Sequence, residues 1–250
     1  MPERQQSHPS LSIVIPAFNE EDNLGPLFEG IFDVLRDDPD FCELVVVDDG
    51  SSDRTAALTL EAARGEPRIR LVKHDRNRGL GASIRTGLSA ARGEAVLYTD
   101  ADLAFDFTLI PRLLSLLDDN NVVVGRRANR GEGFRRLVLT KGYNTLCRFL
   151  FGLRVGDVNF ACKLIPRRAL GGMKLESEGS FIDAEILLEC SRQGFTISEF
   201  PLEYYPRTRG RSTLSRGAVI VGILIEMARY IVRSRRTAFG LVEEINHKRG

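Results

Sequence analysis

Two carboxylates one residue apart, Asp100 and Asp102, have the residue types and spacing that most clearly suggest chemistry. They come directly after the apolar segment AVLYT. Mg²⁺ and Mn²⁺ prefer such hard oxygen ligands and usually share them with substrate phosphates, and one of the two carboxylates could instead hold a sugar or ribose hydroxyl. A turn in which an Asp caps the following helix explains the pair without a ligand. The motif alone therefore leaves a metal site and a capped turn equally open.

A second acidic cluster, Asp48-Asp49-Gly50-Ser51-Ser52-Asp53, also follows an apolar segment. A turn with an N-cap at Asp53 accounts for the second half of this cluster. It does not account for Asp48 and Asp49, because adjacent carboxylates repel each other. We therefore expect a donor-rich ligand beside that pair.

Two segments combine glycine with arginine in ways that suit phosphate binding. Gly79-Leu80-Gly81 opens a predicted helix whose N-terminus could face a phosphate, although the third glycine of the dinucleotide fingerprint is missing. The run from Gly125 to Arg136 is rich in arginine and glycine and suits a phosphate-gripping loop, with a solvated charged loop as the alternative. The chain has three histidines, two of them near its ends, so we expect no histidine-based triad or zinc site.

The hydrophobic pattern predicts the elements that must position these residues. Predicted strands cover residues 11–16, 43–48, 68–73, 95–100 and 121–125, and predicted helices cover 20–35, 53–64, 79–92 and 108–117. Strands that are apolar on both faces and alternate with helices indicate an α/β fold, with a mostly parallel sheet and helices on both faces. Ligands of such sheets bind beyond the carboxyl ends of the strands, which is where the polar clusters fall.

Beyond residue 126 the pattern is less regular, with a predicted helix over 135–151 and mixed segments up to 201. A last helix over 214–236 has an apolar side formed by Val219, Ile223, Met227 and Ile231, and four arginines near its end, Arg229, Arg233, Arg235 and Arg236. Such an amphipathic helix can lie on an anionic membrane surface, and a core or dimer helix is the alternative. We predict a disordered tail over 1–10, a catalytic domain over 11–212, and an amphipathic helix with its tail over 213–250.

Composition narrows the class of protein. The 250 residues include 35 Lys and Arg, 34 Asp and Glu, and 43% hydrophobic residues, which is typical of a globular protein. A net charge of +1 argues against a nucleic-acid binder, but residues 126–154 and 207–249 each carry +7 and the remainder carries −13, which favours anionic ligands or a membrane surface. Four widely spaced cysteines, a polar N-terminus and no apolar run long enough to cross a bilayer predict a cytoplasmic protein, peripheral on the membrane at most.

Four segments in order, IVIPAFNEEDNL, VVVDDGSSDRT, DRNRGLGASIRTGLSAARGE and YTDADLAFD, resemble the family-2 glycosyltransferases with the GT-A fold. More narrowly, they resemble the dolichyl- and polyprenyl-phosphate mannose synthases. The resemblance runs from about residue 11 to about residue 213. It implies an inverting enzyme that uses Mg²⁺ or Mn²⁺ to move a hexose of the mannose or glucose type. The implied donor is a GDP- or UDP-sugar and the implied acceptor is polyprenyl or dolichyl phosphate.

The resemblance also implies roles for individual residues. The implied donor-binding residues are Pro16, Asn19, Glu20, Asp48, Asp49 and Asp100. The implied metal ligands are Asp100 and Asp102. The implied acceptor-phosphate residues are Arg126 or Arg127, together with Arg136, Arg207 and Ser212. The implied catalytic residues are Asp102, Arg136 and Asp183, the last as a general base if the acceptor is a hydroxyl, with Glu185 as the second candidate.

The chain departs from the mannose synthases at three places. It has Ala104 where they have Gln, Thr213 where they have Lys, and Asn159-Phe160-Ala161 where they have Ser-Gly-Phe. These differences leave the sugar and the acceptor open. One alternative is transfer to a hydroxyl of a soluble metabolite or glycan, and another is a non-catalytic protein that binds nucleotide sugars. A sugar nucleotidylyltransferase is disfavoured, because Ala17 to Glu20 stand where it has a glycine-rich segment. The sequence leaves the oligomeric state open.

Overall fold

The computed structural model describes residues 9–102, 105–128, 134–203 and 217–247, with side chains described for 9–102, 105–128, 137–203 and 219–234. The strands are β1 (Leu11–Ala17), β2 (Phe41–Asp48), β3 (Ile69–Lys73), β4 (Ala95–Thr99), β5 (Asn121–Arg127), β6 (Cys162–Pro166) and β7 (Thr196–Leu202). The helices are α1 (Glu21–Leu35), α2 (Thr55–Gly65), α3 (Leu80–Ala90), α4 (Ile110–Ser115), α5 (Phe134–Phe151), α6 (Arg167–Leu170), α7 (Ile182–Arg192) and α8 (Gly217–His247), with a 3₁₀ turn over Phe107–Leu109.

All seven strands form one sheet in the order β3-β2-β1-β4-β6-β5-β7. Only β6 runs against its neighbours β4 and β5, whereas the other pairings are parallel. The carboxyl ends of six strands and the amino end of β6 therefore lie at one edge of the sheet. The predicted mostly parallel α/β sheet is confirmed.

Each face of the sheet carries its own hydrophobic core, because successive strand residues point to opposite sides. On one face, Ile13 and Ile15 of β1 pack with α1, α2 and α4. On the other face, Val14 and its neighbours Val45 and Val47 of β2 pack with α3, α5, α7 and α8. The strands are thus buried on both sides, which explains their continuous apolar runs.

Four elements are absent from the predicted pattern: β6, β7, α7 and the four-residue helix α6. The β6 segment carries Lys163 inside an otherwise apolar run, and β7 is an edge strand whose residues are mostly part-exposed. Helix α7 buries both Asp183 and Glu185. Because acidic residues are usually exposed, the hydrophobic pattern does not indicate that this helix lies in the core. The predicted tail over 1–10 lies almost wholly outside the described residues, and the boundary predicted at residue 213 lies there too.

Helix α8 extends further than predicted, from Gly217 to His247. Within the part of the chain that the structure describes, no helix combines the length and apolar character needed to cross a bilayer.

Candidate active site

The predicted acidic residues come together at the carboxyl edge of the sheet. The register pairs Ala17 of β1 with Asp48 of β2, and Val14 of β1 with Tyr98 of β4. Continued by two residues, the second pairing places Asp100 level with Pro16. Since neighbouring strands are about 4.8 Å apart, the backbones at Asp48 and Asp100 flank the end of β1 at a separation of about 10 Å.

The loops after β1 and β2 are held together by hydrogen bonds. Asn19 has a positive φ of 56°, a left-handed conformation that Asn tolerates better than most residues. Its backbone N–H donates to Ser51 Oγ at 2.9 Å, and its side-chain oxygen accepts from Ser52 N at 2.9 Å. Glu20 N donates to Thr55 Oγ1 at 2.9 Å. These bonds fix the two predicted donor-binding loops against each other.

Asp48 and Asp49 have opposite surroundings. Asp48 is buried, and its Oδ1 accepts from Ser51 N at 3.0 Å. No described residue hydrogen-bonds its Oδ2. Because an unsatisfied buried carboxylate oxygen is costly, this atom is the one that a ligand donor would satisfy.

The Asp49 carboxylate instead has three polar partners within the protein. Its Oδ1 lies 2.6 Å from His74 Nδ1 and accepts from Arg78 N at 2.9 Å, while its Oδ2 accepts from Gly79 N at 2.9 Å. The other ring nitrogen of His74 lies 3.0 Å from Thr86 Oγ1. The protein therefore supplies donors to Asp49 and uses them to fix the turn before α3, and the donor-binding role of Asp49 stays a prediction.

Asp100 lies above a buried polar layer. Tyr98 Oη donates to Asp100 Oδ1 at 3.4 Å, and burial, followed by the Asp100 charge, raises the pKa of this tyrosine well above its usual value. The ammonium of Lys163, on the neighbouring β6, lies 5.4 Å from the centre of the Tyr98 ring. The same ammonium forms an ion pair with Asp183. A charged network therefore runs from the sheet edge into the protein.

Asp183, the predicted general base, lies at the inner end of this network. It is only 4% exposed, and burial raises its pKa against the opposing effect of Lys163. Glu185, the second candidate, is 1% exposed and accepts from the backbone N–H groups of Glu176 and Ser177. Both carboxylates are buried in the part of the protein that the structure describes. Each one therefore has a clear structural role in the interior.

The two arginines at the end of β5 point to opposite sides. Arg126 is exposed. Arg127 is 6% exposed, with its Nε 3.2 Å from Asp157 Oδ2 and its guanidinium 5.3 Å from the centre of the Phe160 ring. Since the acceptor-phosphate role was predicted for either residue, the structure makes Arg126 the accessible one.

The remaining acceptor residues are less fully described. Arg136 belongs to the first turn of α5, but its side chain lies outside the described residues, as do Arg207 and Ser212 entirely. Their predicted roles stay predictions.

The carboxylates of Asp100 and Asp102 fit a cation that is completed by its substrate. Among the described residues, no group of three or more His, Cys, Asp or Glu side chains forms an all-protein cage. Mg²⁺ typically takes one or two carboxylates and fills its other positions with substrate phosphates and waters. The donor set therefore suits a metal that binds together with a diphosphate.

Helix α8 turns toward the protein the apolar side that was expected to lie on the membrane. Met227 is 2% exposed and Tyr230 is 8% exposed, and both belong to the core. Arg233 turns inward and pairs with Glu176 and Glu185 at 2.9 and 2.7 Å. The predicted apolar side is thus the protein-facing side, and Arg233 is not a lipid-facing residue. Over residues 219–234, where the side chains of this helix are described, the exposed apolar residues are Val221, Leu224, Ile225 and Val232.

Sequence reasoning missed Tyr98, Lys163, Asp157 and His74. Lys163 could have been found, because a lysine within a short apolar strand implies a buried partner. The roles of His74 and Asp157 depend on contacts across 25 and 30 residues of chain, for which no local signal exists.

The family model of Glycosyl transferase family 2 matches residues 12–172. A dolichyl-phosphate beta-glucosyltransferase of Trichomonas vaginalis is 31% identical over 249 residues, covering 90% of this chain and 77% of that protein. A polyprenol monophosphomannose synthase of Mycolicibacterium smegmatis is 32% identical over 236 residues, covering 89% and 87%.

Among solved structures, the glucosyl-3-phosphoglycerate synthase of Mycobacterium tuberculosis in complex with Mn²⁺ and UDP-glucose superposes with a TM-score of 0.68. It is 20% identical, with 87% of this chain and 78% of that chain covered. This likeness confirms the predicted GT-A fold. Since the family model spans well over half of the sequence, and two relatives above 30% identity cover most of it, the chain belongs to glycosyl transferase family 2 and is a hexosyltransferase.

Proposed function

We propose that the protein transfers a glucose- or mannose-type hexose, with inversion, from a UDP- or GDP-sugar to a polyprenyl phosphate at a membrane surface. The observation that carries the donor side is the buried Asp48 carboxylate, whose Oδ2 has no protein partner among the described residues. The names of the similar proteins from Trichomonas vaginalis and Mycolicibacterium smegmatis support the lipid-phosphate acceptor.

The donor would lie across the carboxyl edge of the sheet. Asp48 Oδ2 would accept a hydrogen bond from the nucleoside, with Pro16, Asn19 and Glu20 around it. Asp100 and Asp102, two strands away, would hold Mg²⁺ or Mn²⁺ at the diphosphate. When bound, that cation would stabilise the negative charge that develops on the departing diphosphate.

A phosphate and a hydroxyl acceptor differ in the protonation chemistry of the nucleophile. A lipid phosphate has a second pKa near ~6, so it arrives mostly ionised at neutral pH and needs cations rather than a strong base. A hydroxyl must lose its proton to a carboxylate placed within reach. Asp183 is buried in an ion pair with Lys163, whereas Arg126 is exposed at the sheet edge. This arrangement favours phosphate over hydroxyl as the nucleophile.

Contact with the membrane would use the outer sides of α5 and α8. Val138, Phe149 and Leu150 of α5 are 52%, 85% and 42% exposed, and α8 exposes four further apolar side chains. Helix α5 contains no Asp or Glu. Exposed Arg148 and Arg229 add positive charge on the two helices. An apolar surface with basic and few acidic residues suits an anionic lipid surface.

The test is a transfer assay with labelled UDP-glucose, UDP-galactose and GDP-mannose, each offered a polyprenyl phosphate or soluble hydroxyl acceptors. We expect transfer to the lipid phosphate, its loss with EDTA, and a loss of at least about 100-fold in Asp102→Asn. Asp119→Asn, at an exposed acid on the opposite edge of the sheet, is the matched control. Transfer to soluble hydroxyls alone would reject polyprenyl phosphate as the acceptor. Binding of the donor without transfer to any acceptor would reject the proposal that the protein catalyses this transfer.

A further inference from the structure

Glu226 is the one charged residue between Ala218 and Met227 of α8, and its carboxylate binds backbone N–H groups. Its Oε1 accepts from Glu178 N at 2.9 Å and from Gly179 N at 2.7 Å, and its Oε2 accepts from Phe181 N at 3.4 Å. These N–H groups precede α7, where the positive end of the helix dipole also favours a carboxylate. Helix α8 is therefore fixed to the segment of residues 176–181 through one side chain.

Arg233, two turns further along α8, fixes the same segment from its other end. Its guanidinium pairs with Glu185 and with Glu176. Glu185 in turn accepts from Glu176 N and Ser177 N. The 176–181 segment is thus held by two charged side chains of one helix.

The opposite side of the 176–181 segment touches the turn that begins α3. Gly81 N donates to Glu178 O at 2.8 Å. Gly79 has φ +91°, and a Cβ built on it would lie 2.5 Å from Glu178 O. A Cβ on Gly81 would collide with Ser177 O. Glycine is therefore needed at both positions, because the two backbones meet without a side chain between them.

The α3 turn leads directly to the candidate donor loop. Gly79 N donates to Asp49 Oδ2, and the loop at Gly50 packs so closely on the backbone of Arg76 and Asn77 that a Cβ would be 2.5 Å from Arg76 C. A continuous path of backbone contacts therefore joins Glu226 to the loop that follows β2. Each step is a hydrogen bond or a van der Waals contact at a glycine.

We propose that Glu226 is a positioning residue through which the docking of α8 sets the affinity for the nucleotide sugar. Loss of its charge weakens the hydrogen bonds that hold the 176–181 segment, so the α3 turn loses support and Asp48 and Gly50 no longer keep one binding geometry. The inference rests on the proposed donor site at Asp48. It connects the helix that carries the exposed apolar surface to the pocket that binds the donor.

The experiment compares Glu226→Gln with wild type and with Glu61→Gln, the same change at an exposed position of α2. Hydrogen exchange is followed by mass spectrometry, donor affinity by calorimetry with UDP-glucose or GDP-mannose, and steady-state kinetics at saturating acceptor. In Glu226→Gln we expect faster exchange in residues 76–82 and 177–181, donor affinity about tenfold weaker, and a donor KM raised to the same extent with kcat within twofold. Coupling between sites commonly reaches 5–150-fold, so tenfold is an ordinary effect.

Several results would overturn the inference. Donor affinity within twofold of wild type, or unchanged exchange in residues 76–82, would reject the positioning role while leaving the proposed function intact. A wild-type protein that binds neither nucleotide sugar would overturn both. If Glu226→Gln fails to fold, Arg233→Met decides the matter, because it loosens the same segment from its other end and must weaken donor binding in the same way.

Discussion

Adjacent Asp48 and Asp49 have the same side chain, yet their replacement by Asn is expected to have opposite consequences. In Asp49→Asn, one amide oxygen must replace a carboxylate that accepts from His74, Arg78 and Gly79. At least one buried donor then loses a hydrogen bond to a charged group, worth about 1.5–3 kcal/mol, and the unsatisfied donor costs about 1–3 kcal/mol more. We expect a loss of about 3–5 kcal/mol in the free energy of unfolding.

In Asp48→Asn, the amide oxygen can still accept from Ser51 N, and the NH₂ replaces an oxygen that has no partner among the described residues. We therefore expect stability within about 1 kcal/mol of wild type. Donor binding is expected to fall about 10- to 150-fold, since a hydrogen bond between the nucleoside and a charged acceptor is worth about 1.5–3 kcal/mol.

Stability is measured by urea denaturation followed by circular dichroism at 222 nm, and donor affinity by calorimetry with UDP- and GDP-sugars. Each variant serves as the control for the other, because both remove one negative charge at the same sheet edge. The reasoning is refuted if Asp49→Asn unfolds at the wild-type urea concentration. It is equally refuted if Asp48→Asn binds the donor as tightly as wild type.

Three further predictions concern the thiols, the buried ion pair and the membrane surface. Burial raises the pKa of Cys162 to about 12, and of the four cysteines only Cys42 is exposed. A thiol reagent at pH 8 should therefore modify one cysteine in the native protein and four in urea. A second cysteine that reacts rapidly in the native protein would contradict this prediction. Asp183→Asn strands the Lys163 ammonium and should cost about 3–5 kcal/mol by urea denaturation. The double variant Asp183→Leu with Lys163→Met should recover most of that stability, and an equal loss in both would refute the pairing argument. The double variant Leu224→Glu with Val232→Glu should no longer float with anionic vesicles, because both side chains are exposed on α8. The control Leu60→Glu, at an exposed position of α2, should float like wild type. Equal flotation of wild type, double variant and control would refute membrane contact through α8.

The sequence predicts most of the fold because its signals are local. Continuous β-branched runs such as ELVVVD and helical spacing such as Leu24, Leu27 and Ile31 place β2 and α1 nearly as the structure has them. It also locates the site at the sheet edge, since parallel strands carry their loops to one side. The sequence does not predict that β6 runs antiparallel to its neighbours, because the direction of a strand depends on the length and path of the preceding chain rather than on the residues of the strand.

The sequence by itself also supplies the residue types of the site and, through its resemblance to a family, the class of reaction. Asp48, Asp100 and Asp102 follow apolar strands, and that position already suggests ligand binding. What the sequence could not determine is which of several similar side chains is available. Asp48 and Asp49 look alike along the chain, as do Arg126 and Arg127.

The tertiary structure decides these cases by pairing residues that are far apart in the chain. His74 satisfies Asp49, Asp157 draws Arg127 inward, and Glu226 reaches back across 47 residues to Gly179. The physical reason is that the free energy of a buried polar group depends on the partner it meets after folding, and local sequence patterns report burial but not partners. Composition and periodicity therefore define the sheet and its reactive edge, whereas only packing determines which acid binds a ligand and which holds a loop.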